Sequence, residues 1–198
     1  MCQKLPDIRN KIHQTYLKAE NLLKDAERLF ESENPDSLEG LIFPAVNELR
    51  YAGNHLIQAL NESEFSSQMA NYEKALRHCE RSVYDIFDAE ILFCIRKLDT
   101  FIDDYRMILI GEVIPDYQEC CRQIDQIRLK RDRDAAPKNW ENLESDLAGL
   151  QEIRQKFEVA RPELNKKVQC TIRERRRFTL SIALTILGIL VSVLLMMF

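Results

Sequence analysis

Twenty-one consecutive residues, Phe178 to Phe198 (FTLSIALTILGILVSVLLMMF), carry no charge, and the basic run Arg173-Glu-Arg-Arg-Arg177 stands directly before them. Coiled as an α-helix such a run is about 31 Å long, enough to cross the hydrocarbon core of a bilayer. A buried core helix is the competing reading, but helices of soluble proteins seldom run this far without one charged side chain. Its place at the C-terminal end argues for a tail anchor and against a signal peptide. Arg173, Arg175, Arg176 and Arg177 mark the flanking side as cytoplasmic. The expectation is therefore a cytoplasmic helical domain over 1–165, a basic juxtamembrane collar over 166–177, and a transmembrane anchor over 178–198. A single-pass membrane protein with a cytoplasmic N-terminal body fits this order.

Glycine and proline are scarce, with 5 and 6 of 198 residues, and no sustained period-two alternation or Asn-Gly turn occurs. The fold class expected is all-α: a bundle of long helices plus the membrane helix. Residues 166–177 hold six basic side chains and one acidic, a net of +5; the other 22 basic and 31 acidic side chains leave −9 on the rest. A basic collar under an acidic body suits an anionic lipid surface. The acidic body argues against non-specific nucleic-acid binding. The six cysteines, at 2, 79, 94, 120, 121 and 170, form no C-x-x-C pair. Reduced thiols, no metal and no cofactor are expected.

Apolar periodicity predicts helices over 5–32, 38–61, 65–110 and 116–133, and a last helix from about Asn139. Asp36 or Ser37 is suited to cap the second, and Ala136-Pro137 makes a loop. Pro162 is expected to interrupt and kink the last helix before it continues towards the membrane.

Three constellations could carry function. Arg50 and His55 form an R-x4-H pair on the second helix; the alternative is a solvated Arg and a half-buried His. On the third helix His78, Arg81 and Asp85 share a face flanked by Tyr84 and Asp88, and His55 on the neighbouring antiparallel helix could join them. That group could bind an anion or set helix registry, or be a solvated salt-bridged stripe. In the anchor, Ser181, Thr185, Gly188 and Ser192 form one small or weakly polar stripe, which favours helix self-association and in a larger ring could line a pore. Phosphate-binding loops, H-E-x-x-H and G-x-S-x-G are all missing.

The R-x4-H pair, the helical body and the single spanning helix together resemble the small membrane-bound HEPN-like effectors of prokaryotic antiviral defence, such as the membrane accessory proteins of type VI-B CRISPR systems. The resemblance implies a homo-oligomer that perturbs the inner membrane, contacts lipids, and answers to a partner nuclease or a defence-signalling protein. The alternative it implies is a membrane-tethered, metal-independent ribonuclease in which Arg50 steadies phosphate charge and His55 moves protons, with nucleic acid as partner. A tail-anchored adaptor is the third reading.

Overall fold

The computed structural model describes residues 4–31, 39–133 and 140–197. Cys2, the capping candidates Asp36 and Ser37, the Ala136-Pro137 loop and Phe198 lie outside them. Among the described residues five α-helices follow one another: α1 (Lys4–Glu31), α2 (Glu39–Asn61), α3 (Phe65–Asp104), α4 (Tyr117–Arg133) and α5 (Trp140–Met197), with a short 3-10 turn at Ile110–Glu112. No strand occurs among the described residues. The chain packs into two compact units. Met1–Arg96 with Gln126–Gln151 forms unit 1, and Lys97–Asp125 with Glu152–Phe198 forms unit 2.

In unit 1 the buried positions recur every seven residues: Ile12, Ala19 and Ala26 on α1; Ala45, Ala52 and Ala59 on α2; Tyr72, Cys79 and Ile86 on α3. This is the period at which helices pack along a continuous seam. The small side chains of α1 and α2 let backbones approach closely. α2 and α3 run antiparallel, joined by a three-residue turn at 62–64. Gln68 Nε2 donates to the Ala59 carbonyl at 3.1 Å, and the buried Ser82 hydroxyl to the Ala45 carbonyl at 3.0 Å. The Ser82 bond satisfies a buried hydroxyl and fixes the sliding position of the two helices. At the start of α3 the Glu64 carbonyl accepts the first helical bond, from the Gln68 N–H at 2.9 Å. Its carboxylate accepts from the hydroxyls of Ser66 and Ser67, a negative charge at the favourable end of the helix dipole.

Unit 2 closes around aromatic rings. Phe101 lies 5.0 Å from Phe157 and 4.8 Å from Tyr105, and Tyr117 lies 5.9 Å from Phe157, centroid to centroid. The Arg161 guanidinium sits 4.9 Å from the Phe101 ring centre and donates to the Glu158 carboxylate at 2.7 Å.

Two sequence expectations change here. α3 ends at Asp104, not near 110. The Tyr105 hydroxyl donates to Asn165 Oδ1 at 2.7 Å, and the backbone tightens to i−3 bonds at Tyr105 and Arg106. Tertiary anchoring of Tyr105 thus overrides the helical propensity of the apolar residues beyond it. The interruption expected at Pro162 is also absent: α5 is one helix of 58 residues that contains it. Pro162 is exposed, so water can bond the Glu158 carbonyl that proline leaves without its usual donor.

Among the described residues no helix is long and apolar enough to cross a membrane. Within the apolar run the described side chains are those from Phe178 to Ser192, and Met196. All are exposed, among them Phe178 at 68%, Leu184 at 68% and Met196 at 89%.

Candidate functional site

Glu48, Tyr51 and His55 stand at i, i+3 and i+7 on α2, a spacing that lines one helical face. Antiparallel pairing brings His78 of α3 against that face. His78 Nδ1 donates to Glu48 Oε2 at 2.6 Å, and both side chains are about four-fifths buried. The His55 ring stacks on His78, centroids 5.2 Å apart and planes 15° apart. Tyr51 packs against His78 at 5.5 Å, and the Arg50 guanidinium lies 5.0 Å from the Tyr51 ring centre. His55 Nδ1 faces Gln58 Oε1 at 3.2 Å.

A carboxylate only accepts, so the bond to Glu48 places a proton on Nδ1 of His78. An imidazole oriented by a carboxylate is chemically able to bind an anion or to shuttle a proton.

The sequence-selected residues therefore divide. Arg50, His55 and His78 belong to one cluster, with Arg50 joining through Tyr51. Arg81 is exposed, while Tyr84 and Asp85 are half-buried. Asp88 is taken by a two-pronged ion pair, with Arg131 Nε and Nη2 donating at 2.8 and 2.9 Å. Glu48, the group that orients His78, was not selected from the sequence, although its spacing to Tyr51 and His55 carries the signal.

Glu90 was missed as well. It is buried, and its carboxyl is pushed up to about 7, first by burial and then by the nearby Asp25 charge. The signal was an acid interrupting the line Val83, Phe87, Cys94 on α3.

Arg173, Arg175, Arg176 and Arg177 are exposed along α5. In the stripe beyond them the Thr185 hydroxyl donates to the Ser181 carbonyl and the Ser192 hydroxyl to the Gly188 carbonyl, both at 2.9 Å. The hydroxyls thus satisfy themselves on their own helix. A Cβ placed on Gly188 would meet nothing within 4 Å.

Cys79, Cys94 and Cys120 are buried free thiols, and burial, with Glu80 adding to it, pushes Cys79 up to about 11. Such a thiol is inert as a nucleophile. Among the described residues no group of three or more His, Cys, Asp or Glu could hold a metal ion. No family model, no curated protein and no solved structure matches this chain.

Proposed function

We propose that this chain is a single-pass protein of the bacterial inner membrane, anchored through residues 178–198, with its helical body on the cytoplasmic side. It self-associates and acts as an antiviral-defence effector that perturbs or permeabilises that membrane. One observation carries the reading: the described side chains of the uncharged run are exposed all round the helix. A helix apolar on every face needs a cover, and lipid supplies it at a gain of roughly 25 cal/mol per Å². The exposed arginines directly before the run supply the charge for anionic headgroups, and hydroxyls bonded to their own helix suit a medium without water.

The test is flotation with phosphatidylethanolamine/phosphatidylglycerol vesicles, followed by carbonate washing and dye release. The full chain should float, resist carbonate and leak dye, whereas a chain ending at Glu174 should stay at the bottom of the gradient. A full chain that fails to float would overturn the reading. A second reading, the tethered ribonuclease, is favoured by the oriented His78 stacked on His55. RNA cleavage by the same preparations, lost in His55→Ala, would move the conclusion to it.

A further inference from the structure

α2 carries two seams of the same period, one residue apart in register and about 100° apart around the helix. The inner one, through Ala45, Ala52 and Ala59, is fully buried. The outer one runs through Phe43, Val46, Arg50, Gly53, Ile57 and Leu60, at spacings of 3, 4, 3, 4 and 3. It faces outwards: Phe43 is 62% exposed, Val46 41%, Ile57 61% and Leu60 69%. Among the described residues nothing is packed fully over it. Gly53 also has no internal explanation. It lies mid-helix, where glycine is disfavoured, and an added Cβ would meet nothing within 4 Å.

The outer seam is its own complement when reversed. We infer that α2 pairs with α2 of a second copy of this chain, antiparallel and two-fold, along this seam. Reversal sets Phe43 against the partner's Leu60, Val46 against the partner's Ile57, and Arg50 against the partner's Gly53. A residue that meets its reversed image in this way is what a two-fold contact requires. The large layers lie at the ends and the glycine layer in the middle. Two straight helices that cross are closest at the crossing and diverge outwards, so small-in-the-middle is the order that packs. Gly53 then leaves room for the partner's Arg50 stem.

The flank is compatible with self-pairing. Asn47, Asn54 and Asn61 follow the seam at seven-residue spacing. An amide both donates and accepts, so it can pair with its own kind. No acidic residue lies on the seam, so the acidic body does not oppose the contact there. The side chains exposed on the seam amount to roughly 500 Å² per copy, or about 1,000 Å² per pair, which reaches the lower edge of specific interfaces. The pairing deepens the self-association proposed above and rests on that reading for its use in the cell, though not for its geometry.

The test is sedimentation of the full chain in mild detergent, with flotation measured on the same variants. The full chain should dimerise. Ile57→Glu should weaken the dimer by about a hundredfold or more, as loss of a central apolar contact does. Val46→Lys combined with Ile57→Glu should recover it to within about tenfold of the original, because only the antiparallel register sets each new ammonium against a partner carboxylate. If Ile57→Glu fails to fold by circular dichroism, Leu60→Glu with and without Phe43→Lys tests the same register. A monomeric full chain, a dimer indifferent to Ile57→Glu, or a double variant that does not recover would each overturn the pairing. A folded chain that dimerises and responds to these variants but does not float would overturn the membrane reading and leave the pairing standing.

Discussion

In unit 1 helices meet along alanines: Ala19, Ala26, Ala45, Ala52, Ala59, Ala75 and Ala89 are at most 2% exposed. In unit 2 they meet around Phe101, Tyr105, Tyr117 and Phe157, with Arg161 over the Phe101 and Tyr105 rings. Both are helical cores of one chain, but they store stability differently. A small-residue seam draws on close backbone approach and many weak contacts, so it has little room for added volume. An aromatic cluster draws on a few large buried surfaces, so it has most to lose from subtraction. The two units should therefore respond in opposite ways to changes of side-chain volume. A buried acid separates them too: among the described residues, unit 1 encloses Glu90.

The largest expected effect is in unit 2. Phe157→Ala removes the ring shared by Phe101 and Tyr117 and should cost about 3–5 kcal/mol in urea unfolding. A loss under 1 kcal/mol would mean that the cluster collapses to fill the space. Next is Glu90. Its carboxyl keeps its proton to about pH 7 in the folded chain but only to its ordinary value of 4.5 when unfolded. The folded state therefore binds more protons across that interval, and stability should fall as pH rises from about 4.5 to 7 by roughly 2–3 kcal/mol, then level off. Glu90→Gln should flatten that profile and be the more stable form at pH 8. Equal profiles for the two chains would show that Glu90 ionises freely in the fold. The smallest effect belongs to the alanine seam, where Ala52→Leu adds bulk with no space to take it. The expected cost is about 1–3 kcal/mol. A neutral or stabilising result there would show that unit 1 tolerates volume as unit 2 does, and the contrast would fail.

Much of the helical frame was legible from the sequence. Helix starts and ends on either side of residues 62–64 follow from periodicity and polar breaks, and α2 and α4 lie within about a residue of their expected bounds. The His55–His78 encounter was legible too, because a three-residue turn makes α2 and α3 antiparallel neighbours and both histidines fall on facing stripes. Glu48 escaped notice because a lone carboxylate on a helix is usually solvated, and only the α2–α3 register shows which cation or donor it meets. Asp88 went the other way: grouped with His78 by spacing, it is held by Arg131, which lies 43 residues further on.

By itself the sequence determined the local matters: an all-helical chain, its main breaks, an acidic body, a basic collar and an uncharged run of 21 residues. These follow from short-range sterics, hydrophobic period and charge count, which act within a few turns of backbone. The tertiary structure decided where α3 stops, that α5 runs unbroken through Pro162, which acid is buried at Glu90, and which of two equivalent seams on α2 lies inside. Each depends on what another helix places opposite, and a periodic pattern specifies a face without specifying its partner.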